Sequence, residues 1–132
     1  GTPRELFDRL QEQEGLLFLN ASLTITRYVQ GGAPEQLFGH IPLWSPVVGK
    51  VLTMLAQRTA GHVVFLLLGT PAHRLADKVR IRQLAEQAGV WGTRVDEVRL
   101  SHPASMNFLG GKNPFHEVNA RLSAMGAAPI RW

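Results

Sequence analysis

The chain has 132 residues, 45% of them hydrophobic, with 14 Lys and Arg against 10 Asp and Glu for a formal net charge of +4. That length and apolar content hold one domain or part of one with a real core, and they exclude global disorder. The basic balance suits a polyanionic partner without proving one, and the absence of cysteine removes disulfide frameworks, thiolate catalysis and cysteine zinc sites. The opening Gly1-Thr2-Pro3-Arg4-Glu5-Leu6 has no basic-then-apolar leader pattern, and the longest apolar run, Val63 to Leu68, is too short to span a bilayer. A soluble intracellular protein with no membrane partner is expected, cytoplasmic in a prokaryote, or nuclear if viral or eukaryotic.

Leu6, Phe7 and Leu10 share one face of a first helix, with Thr2 as its cap and Pro3 at its first position. Leu16-Leu17-Phe18-Leu19, after Gly15, is a continuous apolar run that predicts a strand buried on both faces and ending at Asn20. Gln30 to Pro46 is rich in turn residues and predicts an irregular connection. Val47, Val48, Val51, Leu52 and Leu55 then recur at helical spacing, with Gly61 as a stop. Val63 to Leu68 predicts a second buried strand, ending at the Gly69-Thr70-Pro71-Ala72-His73 turn.

Leu75, Ala76, Val79, Leu84, Ala85 and Ala88 mark a helix broken near Arg80 to Arg82 and closed by Gly89. Val95 to Leu100 is less apolar and predicts a strand nearer the sheet edge, running into Ser101-His102-Pro103. Phe115, Val118, Leu122 and Met125 mark a last helix, which Gly126 ends. Strands alternating with helices predict βαβ units, hence an α/β fold with a central, mostly parallel sheet and helices on both faces. Ligands of such sheets sit beyond the carboxyl ends of the strands, which singles out Asn20, the turn after Gly69, and His102.

Taken singly, these residues also fit ordinary structural roles: Asn20 as a turn cap, Gly69 as a glycine of close packing, His102 as a loop histidine. Trp44 and Trp132 read as packing anchors rather than base-stacking platforms. The five histidines show no helical metal spacing, and Gly110-Gly111-Lys112 lacks the spacing of a phosphate-binding loop, so neither a metal nor a nucleotide cofactor is expected.

The order of the motifs adds more. Gly15-Leu16-Leu17-Phe18-Leu19-Asn20-Ala21-Ser22-Leu23-Thr24-Ile25 resembles the "GVLLLNxxLTV" pattern of the uracil-DNA glycosylase family. In order after it, Phe65 to His73 is similar to the family's "FLLWGxxAQ", and Ser101-His102-Pro103-Ala104-Ser105-Met106 to its "HPSPL" loop. Asn113-Pro114-Phe115 to Asn119, then Pro129-Ile130-Arg131-Trp132, resembles "HFxxxN...PIDW", and His40 to Trp44 resembles the family's His-to-Trp stretch.

The resemblance implies a base-excision DNA repair enzyme that flips uracil out of DNA and hydrolyses its N-glycosidic bond without a cofactor. Asn20 would read the Watson–Crick edge of the flipped uracil, since a side-chain amide offers a donor and an acceptor at fixed geometry. His102 would hydrogen-bond the uracil oxygen that gains charge as the bond breaks. Gly69, Thr70, Ala72, Pro103, Ala104 and Ser105 would contact the DNA backbone, and Met106 would stand where the family has its leucine wedge. Ala104 and Ser105 replace the usual Ser-Pro pair, which weakens the expected grip on the backbone.

The family's "GQDPYH" motif, whose aspartate orients the attacking water, has no counterpart here, and neither Asp8, Asp77 nor Asp96 has its flanking residues. The proline-rich loop and the aromatic floor for uracil are missing as well. Residues 1–132 are therefore expected to form the carboxy-terminal part of such a domain, completed by a further segment or another chain, with uracil-containing DNA, single- or double-stranded, as partner. Three alternatives stay open: a shortened homologue without activity, a non-catalytic module that binds DNA or a protein on a degenerate glycosylase fold, and an unrelated small α/β binding protein.

Overall fold

Val63–Leu68 forms strand β1, and its side chains divide between two apolar environments: Phe65 and Leu67 enter one cluster, Val64 and Leu66 the other. A strand covered on both faces needs no polar alternation, which is why the run is continuous. The computed structural model describes residues 1–17, 41–103 and 110–132, with the side chains of residues 41–45 outside that description. In chain order the elements are α1 (Pro3–Glu12), α2 (Ile41–Ala56), β1, α3 (Thr70–Val79), α4 (Ile81–Gln87), β2 (Val95–Leu100) and α5 (Pro114–Ala124).

The two strands pair in parallel, in register from Val63↔Val95 to Leu68↔Leu100. Parallel neighbours require a crossover, and α3 with α4 supplies it. On one face Val48, Leu52 and Ala56 of α2, Leu75 and Ala76 of α3, and Ile81 and Ala85 of α4 pack with Phe65, Leu67 and Val95. On the other, Val118 and Leu122 of α5 pack with Val98, joined by Val64, Leu66, Leu100, Ile130 and Trp132. Helices thus cover both faces of a parallel pair, and the fold is α/β as expected.

Local chemistry sets the element ends. Thr2 and Glu5 form a reciprocal capping box, with Glu5 N–H donating to Thr2 Oγ1 (3.2 Å) and Thr2 N–H to Glu5 Oε2 (2.9 Å). The expected break after α3 is a single left-handed residue, Arg80, at φ 62° and ψ 48°. Asn113 caps α5 by accepting from Phe115 N–H and His116 N–H. Beyond α5, Asn119 holds the tail with both ends of its amide, donating to the Ile130 carbonyl (3.1 Å) and accepting from Ile130 N–H (2.8 Å). Arg131 then reaches Glu14 (2.7 Å), while Arg9 donates to the Arg131 carbonyl (2.7 Å), so the tail ties α1 to the rest. Trp132 packs on Phe115 with ring centroids 4.5 Å apart, an anchor as expected.

Three expectations are corrected. The irregular connection expected over Gln30 to Pro46 ends by Ile41, where α2 begins; residues 30–40 lie outside the described residues. Pro42 sits in the first turn, where its missing N–H costs nothing, and Pro46 forfeits one helical bond against the burial of Val48, Leu52 and Ala56. The strand expected over Leu16 to Leu19 does not begin at Leu16: Leu16 N–H donates to the Leu10 carbonyl (2.9 Å), so that backbone closes α1, and Leu17 is 65% exposed. Phe18 and Leu19 fall outside the described residues, as does the side chain of Trp44. Finally, residues 70–73 are the first turn of α3 and not a separate turn, because Pro71 is tolerated at a helix start.

Ile81 is 1% exposed at the centre of the larger cluster, whereas Met54 is 66% exposed on α2. Ile81→Ala should therefore lower the unfolding free energy by about 2–5 kcal/mol. Met54→Ala should change it by no more than about 0.5 kcal/mol. Urea denaturation of both variants checks the contrast.

Candidate active site

Parallel pairing places the carboxyl ends of β1 and β2 side by side, and the chain leaves both strands through polar residues. After Leu68, Gly69 adopts φ 90° and ψ 166° and starts α3, a conformation essentially confined to glycine. Its N–H donates to the Leu100 carbonyl (2.9 Å), extending the ladder one step past β1. A side chain at this position would place Cβ 3.0 Å from His102 Cβ and 3.3 Å from its Cδ2. The missing side chain of Gly69 is the space in which His102 sits.

Around this junction lies a cleft of about 480 Å³ lined by Gly69, Thr70, His73, Arg99, Leu100, Ser101 and His102. The amino end of α3 opens at its rim, and no side chain caps it; such a terminus favours an anionic group. His73, in the first turn of α3, donates from Nε2 to the Leu67 carbonyl (3.0 Å). A carbonyl can only accept, so this contact places the ring hydrogen on Nε2.

Among the described residues Arg99 is the one guanidinium on the cleft lining, and it is bonded to two carboxylates. Its Nη2 donates to Asp77 Oδ1 (2.8 Å) and its Nε to Glu97 Oε1 (2.8 Å). These hydrogen bonds raise the Arg99 pKa further, while Arg99 holds the Asp77 carboxyl below its ordinary value. With a carboxylate on each side, Arg99 is compensated and does not present a naked positive charge to a ligand. A second cleft of about 550 Å³ lies beyond it, lined by Asp77, Arg82, Gln83, Glu86 and Glu97 among others. Its polar groups bond chiefly to one another, as in the Arg82–Glu86 pair (2.8 Å).

Of the residues expected at the site, Gly69, Thr70 and His102 meet in the first cleft, and Pro103 follows His102 at the exposed rim. Ala72 packs its methyl group against the larger core cluster, which leaves its backbone amide for any role at the cleft. Asn20, Ala104, Ser105 and Met106 lie outside the described residues. Sequence reasoning picked out the turn that ends at His73 without giving that side chain a role, and it missed Arg99 and Ser101 as lining residues. The signal for Arg99 was present as charges at 97 and 99, two apart in a strand and so on one face. Among the described residues, no group of three or more His, Asp or Glu side chains could hold a metal ion.

The chain is similar to uracil-DNA glycosylases. It is 34% identical over 124 residues to the curated uracil-DNA glycosylases of Lacticaseibacillus casei and Lacticaseibacillus paracasei, and 32% identical over 123 residues to that of Pediococcus pentosaceus. Each match covers 90% of this chain and 45% of the relative, so the chain spans a little under half the length of the proteins it matches. No protein-family model matches the chain, and no solved structure matches it.

Gly69→Ala tests the junction. The strained backbone conformation should lower the unfolding free energy by about 1–3 kcal/mol, and the added methyl should displace His102. In an NMR spectrum the His102 ring signals should shift while those of His62, which precedes the opposite end of β1, stay in place.

Proposed function

We propose that this chain supplies the base-recognition and leaving-group side of a uracil-DNA glycosylase. The observation that carries the reading is the Gly69–His102 junction at the paired strand ends, the position where an open parallel sheet binds its ligand. The similarity to curated glycosylases over 90% of the chain supports it. In this reading His102 donates a hydrogen bond to the uracil oxygen on which negative charge accumulates as the N-glycosidic bond to C1′ of the sugar breaks. A donor aimed at charge that develops only in the transition state accelerates the step more than it tightens substrate binding.

Asn20 reads the Watson–Crick edge of the flipped base through its amide, and Met106 fills the gap left in the stack. The backbone amides of Thr70 and Ala72, with Pro103, Ala104 and Ser105, hold phosphate groups at the rim, as the open helix terminus favours. No metal or cofactor takes part. The partner is uracil-containing DNA, which places the protein inside the cell.

The water-activating carboxylate is not among this chain's aspartates. Asp77 is bonded to Arg99; Asp96 accepts from Glu97 N–H (2.7 Å) and faces Arg121 (3.7 Å); Asp8 pairs with Arg4 (4.0 Å). In the glycosylase reading the water-activating group is supplied by a further segment or another chain. The same observation favours a second reading, a module that binds DNA without cleaving it. The two readings part on a uracil-containing oligonucleotide, assayed with the chain alone and with the full-length protein. Base release by the full-length protein is expected; its absence in both, with salt-dependent binding that ignores uracil and survives His102→Ala, would establish the binding module instead.

His102 and Met106 share a loop but should fail differently in the full-length protein. His102→Ala should slow the single-turnover rate at saturating DNA by about 100-fold or more, on single and double strands alike. The Met106→Ala defect should shrink on single-stranded DNA, where less pairing opposes flipping. Equal relief of both defects on single strands would refute the division of roles.

Asn20→Asp keeps acceptors but loses the amide donors, so it should erode the preference for uracil over cytosine. Competition between the two bases in otherwise identical oligonucleotides measures that loss, and an unchanged preference would return Asn20 to the role of a turn residue.

A further inference from the structure

Two contacts from one face of α3 converge on a single level of the sheet. His73 and Asp77 are four residues apart, hence neighbours on the helix surface. His73 Nε2 donates to the carbonyl of Leu67 on β1 (3.0 Å), and Asp77 Oδ1 accepts from Nη2 of Arg99 on β2 (2.8 Å). Leu67 and Arg99 are register partners, so the helix grips both strands at the same rung. One rung further on, Leu68 pairs with Leu100, and beyond it come Gly69, whose N–H bonds the Leu100 carbonyl, and His102. Glu97 accepts from Arg99 Nε (2.8 Å) and so fixes the plane of the guanidinium that Asp77 receives.

We propose that His73, Asp77 and Arg99 form a two-point clamp that positions His102 against Gly69 for its role at the leaving base. The proposal rests on the glycosylase reading for its catalytic consequence and on geometry alone for its structural one. Arg99 is a positioning residue here: bonded to two carboxylates, it ties the carboxy-terminal half of α3 to β2 through Asp77, while His73 ties the first turn of α3 to β1, and together they set the path of the helix away from Gly69. The Asp77 side chain is 66% exposed, and ion pairs of that exposure add little to global stability. The effect of the clamp is therefore expected in placement and not in unfolding. Small displacements of a catalytic donor cost far more in rate than in stability.

The test uses the full-length protein with Asp77→Ala, Arg99→Leu and the conservative Asp77→Asn, which keeps an acceptor oxygen where Asp77 has one. Asp77→Ala and Arg99→Leu should each lower the single-turnover excision rate at saturating DNA by about tenfold. The half-saturating DNA concentration should change less than about twofold and the melting temperature by less than about 2 °C. Asp77→Asn should recover most of the rate, and the double variant should be no slower than either single one, because both remove the same link. Amide hydrogen exchange gives a readout independent of activity: in Asp77→Ala the Gly69 amide should exchange about fivefold faster or more while that of Phe65 keeps its protection. Unchanged excision in Asp77→Ala, unchanged Gly69 protection, or a rate loss that follows a general loss of protection including Phe65 would each overturn the clamp. A wild-type protein without excision activity would sink the glycosylase reading and leave the clamp to be judged on exchange.

Discussion

The approach of His102 to Gly69 depends on one missing side chain. A methyl group at residue 69 would lie 3.0 Å from His102 Cβ, closer than packed carbon atoms settle, and the backbone there holds φ 90°, where a side chain is strained in any case. Parallel pairing supplies the other half of the constraint. Because β1 and β2 run the same way and stay in register to Leu68↔Leu100, their exits emerge together, and the histidine carried by one strand meets the helix start carried by the other. An antiparallel pair would send these two exits to opposite ends.

The rest of the structure holds that junction still. On one side α2, α3 and α4 bury Val48, Ile81 and Val95 to 2% exposure or less, which anchors the crossover connecting the strands. On the other, α5 carries Val118 and Leu122 onto Val98. Polar contacts secure what the core does not reach: the two-way amide bond of Asn119 to Ile130 fixes the tail, and Glu14, only 10% exposed at its side chain, receives Arg131 and Arg9 and brings α1 into the same unit. The indole Nε1 of Trp132 is buried without a hydrogen-bond partner among the described residues. Its ring contact with Phe115 and the apolar cluster therefore outweighs the cost of that orphaned donor.

How much of this was legible in the sequence follows from which forces act locally. The cap at Thr2, the break near Arg80 and the stop at Gly126 were read because they are short-range features; the Glu5 half of the capping box and the cap at Asn113 are as local but emerged only in the structure. The buried strand Val63–Leu68 was readable for a similar reason, since only a doubly covered strand tolerates so continuous an apolar run. Where long-range packing decides, local rules failed. Pro46 suggested irregular chain, yet burial of Val48 and Leu52 outweighs one lost helical bond. Leu16 looked like strand, yet its N–H is taken by Leu10. At the site, Gly69 and His102 were visible as strand ends; the link of His73 to Leu67 and of Asp77 to Arg99 was not, because each joins elements whose relative placement only the folded sheet defines.

The charge arrangement at the cleft bears on what kind of ligand it can take. The chain carries a formal net charge of +4, but the guanidinium on the lining is compensated by Asp77 and Glu97. A cleft built to hold a phosphate tightly would expose such a group, since bidentate arginine is the strong form of phosphate recognition. What this cleft offers instead are the imidazole of His102 and the amides of a helix start, the His73 ring N–H being taken by the Leu67 carbonyl. Pairing with Asp77 and Glu97 compensates the Arg99 charge and uses the same side chain to link α3 to β2.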